Sequence, residues 1–190
     1  MVGLGNPGAE FSRTRHNLGA ETVELLASRR GERLRPEKGT RALVASVRVD
    51  GKLMALAVPQ TYMNESGLAV AALIRRYRVP GLEQLVVVHD ELDLPTGRVK
   101  LKVGGGTAGN NGLKSLHAHL HDPGYVRVRI GIGKPPGRQP GADYVLHRPA
   151  RAEREALDVA LEVAADAVEV IATEGIDTAM QRFNTDPAPS

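Results

Sequence analysis

A chain of 190 residues, 42% hydrophobic and 25% charged, is long enough for one globular domain with a full core. It has no cysteine, which excludes disulfides, thiolate zinc sites and a cysteine nucleophile and suits a reducing cytoplasm. No apolar run is long enough to span a bilayer, and the N-terminus lacks the basic and apolar regions of a signal peptide, so the expected location is cytoplasmic. The net charge of +3 hides an asymmetry: residues 1–150 carry 22 Lys/Arg and 13 Asp/Glu, a balance of +9, whereas residues 151–190 carry 3 and 9, a balance of −6. A basic body suggests a polyanionic partner, although ordinary surface charge accounts for it equally well.

In chain order, Met1 to Leu4 supply the end of a short strand. Gly3, Gly5, Pro7 and Gly8 then make a tight turn, followed by Phe11, Arg13, Arg15, His16 and Asn17. Leu18 to Arg30 has a helical pattern closed by Gly31. Arg29 to Arg41 is a polar, basic connection. Ala42–Val49 and Lys52–Val58 are apolar and partly alternating, and the Asp50-Gly51 dipeptide between them is a hairpin signal. Pro59 ends the second arm.

After the polar loop Gln60–Glu65, Ser66 is expected to cap a helix whose apolar positions Val70, Leu73, Ile74 and Tyr77 run toward Pro80. Gln84–His89 is apolar on both faces and predicts a buried central strand, which leads into Asp90, Glu91 and Asp93. Arg98–Val103 alternates as a half-exposed strand. Gly104–Gly112 is a second glycine-rich loop, followed by a helix from about Leu113 to His121. Tyr125–Ile132 alternates, with Arg127 and Arg129 on one face. Lys134–Gly141 is a Pro/Gly-rich surface loop. Arg151–Thr173 predicts a long amphipathic helix with Leu157, Leu161, Ala164, Val168 and Ile171 inward. Glu155, Asp158, Glu162, Asp166 and Glu169 lie on its solvated side. Gly175 stops it, a short helix follows, and the end of the chain is irregular. With no repeat and no boundary, residues 1–190 are expected to form one α/β domain on a mixed central sheet flanked by helices.

Several loops carry possible chemistry. Gly3-x-Gly5-x-x-Gly8 has the spacing of a dinucleotide fingerprint, but Pro7 interrupts it and the helix starts some ten residues late. The Gly104–Gly112 loop lacks the Gly-Lys-Ser/Thr of an NTPase, because Leu113 separates Gly112 from Lys114-Ser115; its backbone N–H groups could still receive an anion or a carbonyl. His117, His119 and His121 share no recognised metal pattern and fit a solvated helix face better. His16 can act as a general base if a partner fixes its tautomer, and Asp90 is a candidate because it ends the most buried strand. Asn6, Asn64 and Asn111 lie in three glycine-bearing loops, where amides can grip an ester or peptide group and position water. No Gly-x-Ser-x-Gly elbow exists, so water is the natural nucleophile.

These stretches occur in a telling order: Gly3-Leu4-Gly5-Asn6-Pro7-Gly8, Thr14-Arg15-His16-Asn17, Thr61-Tyr62-Met63-Asn64, His89-Asp90-Glu91-Leu92-Asp93-Leu94-Pro95, Gly104-Gly105-Gly106, Asn111-Gly112-Leu113 and Arg129-Ile130-Gly131-Ile132-Gly133. Through nearly its whole length the chain resembles the bacterial peptidyl-tRNA hydrolase family. The resemblance implies hydrolysis of the ester joining a peptide to the 3′ ribose of tRNA, by a monomer without metal or cofactor and away from the membrane. It implies that His16 is the base for the attacking water, that Asp90 orients and stabilises it, and that Asn6 distinguishes blocked from free amino groups. By the same resemblance Asn64 and Asn111 hold the peptide end or the water, Phe11, Tyr62 and Met63 line the cleft, and Lys102 and Arg129 meet tRNA phosphates. The chain departs from the family pattern at Ala108, usually Gly, at Asn110, usually His, and at Phe11, often Tyr; its first strand is also shorter. A non-catalytic RNA-binding protein on the same fold and a dinucleotide-binding enzyme remain as alternatives.

Overall fold

The computed structural model describes residues 1–185. Among these, seven strands form one mixed sheet: β1 (Val2–Gly3), β2 (Arg35–Glu37), β3 (Ala42–Val49), β4 (Lys52–Pro59), β5 (Val86–Glu91), β6 (Val99–Val103) and β7 (Val126–Gly131), in the order β2-β3-β4-β1-β5-β7-β6. β4, β1, β5 and β7 run parallel, and antiparallel pairs close both edges. The helices are α1 (Leu18–Arg29), α2 (Ser66–Tyr77), α3 (Asn111–Leu120), α4 (Gly141–Val145), α5 (Arg151–Glu174) and α6 (Ile176–Phe183). None is long and apolar enough to cross a membrane.

The expected α/β architecture follows from where the apolar side chains go. Val86 and Val88 of β5 enter a core with Leu18, Val23 and Leu26 of α1 and Leu157, Ala164 and Val168 of α5. Val87 enters the opposite core with Val70 and Leu73 of α2 and Leu113 and Leu116 of α3. A strand covered on both faces must be apolar on both, which is the pattern of Leu85-Val86-Val87-Val88. Asp50 and Gly51 both adopt positive φ, 49° and 75°, as a two-residue hairpin turn requires.

Some elements differ from the sequence expectation. β2 arises inside the supposed polar connection and pairs with the edge of β3; Arg35-Pro36-Glu37 has no alternation to betray it, and proline is tolerated only at such an edge. Ser66 does not cap α2. It is the first helical residue, and its hydroxyl donates to the Met63 carbonyl at 2.8 Å, because a 3₁₀ turn over Met63–Glu65 already precedes the helix. α3 starts at Asn111, two residues early, because the Asn110 side chain caps it by accepting from the Leu113 N–H at 3.1 Å. α4 follows the Pro/Gly-rich loop and is too short to leave a periodic signal in the sequence. The acidic side of α5 is not simply solvated: Glu162 and Asp166 pair with Arg29, and Glu169 with Arg30, so α5 neutralises α1. The chain end beyond Thr185, expected to be irregular, lies outside the described residues.

Two glycines set how closely α1 approaches the sheet. A Cβ on Gly19 would lie 2.2 Å from the Val88 carbonyl oxygen and 2.6 Å from the Leu4 nitrogen, and one on Gly3 would lie 2.1 Å from the Gly19 carbonyl oxygen. Both clashes are with backbone, so no side-chain rotation relieves them. The close approach lets the Ala20 N–H donate to the Leu4 carbonyl at 3.0 Å and brings the turn before α1 against the end of β5. Gly19→Ala is expected to destabilise the fold by at least about 2 kcal/mol, measured by denaturant unfolding; a loss within about 0.5 kcal/mol would show that the helix can back away freely.

Candidate active site

The cleft forms where parallel strands end. β1 runs into Leu4-Gly5-Asn6, β4 into the Tyr62–Asn64 turn, and β5 ends at Asp90-Glu91. The carboxyl ends of neighbouring parallel strands are where such sheets gather ligands. His16 lies in the 3₁₀ turn Arg15–Asn17 immediately before α1.

Across this junction His16 Nδ1 lies 2.9 Å from Asp90 Oδ1 and 3.0 Å from Oδ2. The residues are 6% and 4% exposed, so water does not screen the pair. A carboxylate at Nδ1 fixes the proton on that nitrogen, which leaves Nε2 as the ring position for the cleft. Burial by itself would lower the His16 pKa; the charge of Asp90 and the hydrogen bond to it outweigh this and raise it above the ordinary histidine value. Burial would likewise raise Asp90, and the neighbouring imidazolium reverses the effect and holds the carboxyl below its usual range.

The residues beside His16 fix the turn. The Asn17 side chain accepts from the Asn6 N–H and donates to the Asn6 carbonyl, both at 2.9 Å, a two-point grip on the backbone of the first loop. The Asn6 side-chain oxygen accepts from the Met63 N–H at 2.7 Å, which leaves its NH₂ for the cleft. On the other side, Arg15 is buried. It binds Glu153 at 2.6 Å, donates to the Tyr144 and His147 carbonyls, and stacks over the Tyr144 ring at 3.9 Å. Arg15 and Asn17 thus tie His16 to α4, α5 and the Asn6 loop. Their positions are plain in the sequence, but their partners are distant along the chain.

Two adjoining cavities of about 220 and 330 Å³ share His16, Asn111, Ala142 and Val145. Asn6, Phe11, Tyr62, Met63 and Asn64 line the second, so the structure brings eight of the ten expected site residues to one cleft. Phe11 and Tyr62 meet edge to face, with centroids 6.4 Å apart, as an apolar wall. Met63 is 4% exposed and belongs largely to the core; its backbone N–H, holding Asn6, is its clearest link to the site.

Lys102 and Arg129 stand apart, in a third cavity of about 180 Å³ that shares Glu91 and Ala108 with the first. Lys102 is exposed and Arg129 half-buried, 3.9 Å from Glu91. Arg127, on the same strand face as Arg129, is buried and donates to the carbonyls of Gly105 and Gly106 at 2.5 Å, so it braces the glycine loop.

A family model described as peptidyl-tRNA hydrolase matches residues 1–190. The chain belongs to the peptidyl-tRNA hydrolase family. It is 50% identical over 184 residues to the peptidyl-tRNA hydrolase of Nocardia farcinica, covering 97% of this chain and 95% of that protein. It is 44% identical over 195 residues to that of Cutibacterium acnes, covering 97% of each. Its fold superposes on the crystal structure of peptidyl-tRNA hydrolase from Acinetobacter baumannii with a TM-score of 0.91 and 35% identity, over 97% of this chain and 93% of that one. At two departures from the peptidyl-tRNA hydrolase pattern the structure adds detail. Ala108, where the resemblance leads one to expect glycine, takes φ 46°, the left-handed region that glycine occupies without cost. Asn110, where the resemblance leads one to expect histidine, caps α3 and also reaches Asp90, with Nδ2 3.3 Å from Oδ1.

The pair has a pH signature. His16 has a folded pKa above its unfolded value, so its contribution is fully present below about pH 6.5 and is lost as pH rises through the raised folded value. Asp90 has a depressed folded pKa, so its contribution is present above about pH 3.9 and is lost as pH falls through the folded value. Thermal melts of the wild type are expected to lose stability from pH 6.5 upward through the His16 midpoint. In Asp90→Asn only burial still acts on His16 and lowers its folded pKa, so stability should instead rise with pH up to about 6.5 and level off above it; the same loss above about pH 6.5 in the variant would mean that Asp90 does not set the imidazole.

Proposed function

We propose that this chain hydrolyses the ester between a peptide, or an N-blocked aminoacyl group, and the 3′ ribose of tRNA. The observation that carries the reading is the buried His16–Asp90 pair opening onto an amide-lined cleft. His16 Nε2 takes a proton from water while Asp90 holds the Nδ1 proton. The water oxygen bonds to the ester carbonyl carbon, and the carbonyl oxygen becomes an oxyanion. Collapse of this intermediate breaks the bond to the 3′ oxygen, which receives the proton from His16 and leaves as the free ribose hydroxyl. Only the neutral imidazole accepts the first proton, so kcat/KM rises with pH through the raised His16 pKa.

The neutral amides suit the substrate. The Asn6 amide, whose oxygen accepts the Met63 N–H, can present its NH₂ to the carbonyl next to a blocked amino group, and that NH₂ meets nothing favourable in a free ammonium. Asn64 and Asn111 at the cleft rim position the peptide end or the water. The Phe11–Tyr62 wall takes a side chain of the peptide. Lys102 and Arg129, one cavity away across the Gly104–Asn110 loop, take backbone phosphates of the tRNA and supply salt-sensitive affinity without reading sequence. The reaction needs these side chains and water alone. The protein works as a single-domain monomer in the cytoplasm.

The test is release of the acyl group from N-blocked aminoacyl-tRNA. His16→Ala is expected to lower kcat/KM by about 10²- to 10⁴-fold with tRNA binding retained, and Lys102→Ala to flatten the log-log salt dependence of binding by about one unit. Equal turnover by His16→Ala would remove the imidazole from the chemistry. RNA binding without turnover by the wild type would favour a non-catalytic RNA-binding role.

A further inference from the structure

We infer that Asn110 is a positioning residue for the reaction, acting on His16 through the Asp90 carboxylate, an inference that rests on the hydrolytic reading of the site. The Asn110 amide is oriented from both ends. Its oxygen accepts the Leu113 N–H at 3.1 Å and caps α3, and its NH₂ lies 3.3 Å from Asp90 Oδ1, the oxygen nearest His16 Nδ1. A single side chain therefore ties the start of α3 to the carboxylate that holds the base. Asp90 has no other side-chain donor than His16 and Asn110 among the described hydrogen bonds, so the amide governs how the carboxylate divides its charge between its two oxygens.

The surroundings leave that contact exposed to charge. His16 faces Asp90 from the turn before α1. On β5 itself His89 donates its Nδ1 proton to the Asp90 backbone carbonyl at 2.7 Å, and burial pushes its pKa down to about 4, so it stays neutral around pH 7. Glu91, the next residue of β5, also lines the cavity beside the pair, and its carboxylate lies 3.9 Å from Arg129. From α4 only the uncharged Gly141, Ala142 and Val145 line the cavity beside the pair, and Arg15 is engaged with Glu153. A new carboxylate at position 110 would meet Asp90 with no cation between them, and the charge would be felt at His16.

Two variants separate positioning from capping, because serine and aspartate both cap helices well. Asn110→Asp keeps the capping oxygen and puts a negative charge against Asp90; Asn110→Ser keeps a capping oxygen and removes the donor. The readouts are the His16 pKa from an NMR imidazole titration and the pH profile of kcat/KM. Asn110→Asp is expected to raise the His16 midpoint by about one pH unit, with the acid limb of kcat/KM moving with it. Asn110→Ser is expected to lower kcat about three- to tenfold with KM unchanged, as loss of one long hydrogen bond of ordinary strength would. A midpoint unmoved in Asn110→Asp, or an unchanged kcat in Asn110→Ser, would overturn the inference and leave Asn110 as a helix cap alone. The NMR midpoint does not depend on turnover, so a wild type that fails to hydrolyse N-blocked aminoacyl-tRNA would sink the functional reading while the effect of Asn110 on His16 was still measured.

Discussion

The geometry of the cleft depends on one buried imidazole–carboxylate pair, His16 and Asp90. Moving a carboxylate and an imidazole out of water is costly for each, and the cost is met only because they lie 2.9 Å apart with Asp90 further bonded by the Asn110 amide. On the proposed hydrolytic reading the pair does two things for the chemistry. It fixes the imidazole proton on Nδ1, and it sets the basicity of Nε2 by opposing burial with charge. The raised pKa brings the base closer to a working pH near neutrality than burial alone would allow.

The packing around the pair keeps it in register. Gly3 and Gly19 let α1 rest on the backbone of β1 and β5, which puts His16 and Asp90 within reach across two elements distant in sequence. Asn17 holds the Asn6 loop from the same turn, and Arg15 holds α4 against it from the other side, so base, amide and cleft wall share one support. The charge asymmetry of the chain reads differently once folded. Three acidic residues of α5 pair with Arg29 and Arg30 at the end of α1, while Lys102 and Arg129 lie one cavity from His16. That separation matches a substrate with a neutral ester at one end and phosphates at the other.

The parts visible in the sequence are those with local causes. The both-sided apolar run of β5, the Asp50-Gly51 turn and the stripe of α5 follow from periodicity and turn chemistry. His16 and Asp90 stand out as a candidate base and partner by their loop and strand-end positions, 74 residues apart, and the structure brings the two side chains together. β2 escapes because Arg35-Pro36-Glu37 is strand only through pairing with β3, and Ser66 looks like a cap because the preceding 3₁₀ turn has no sequence signal. Arg15, Asn17 and Arg127 are visible as polar residues, but their roles belong to partners on other elements: Glu153, the Asn6 backbone and the Gly105–Gly106 carbonyls. Side chains that grip backbone carry no spacing rule, so only the folded structure shows what they hold.

The most direct test is the tautomer of His16, read by ¹⁵N NMR of the imidazole at a pH above its midpoint. The remaining proton should sit on Nδ1, hydrogen-bonded to Asp90, with Nε2 bare. A neutral ring protonated at Nε2 would leave no lone pair facing the cleft, and the His16–Asp90 pair could not then deliver a base to the attacking water.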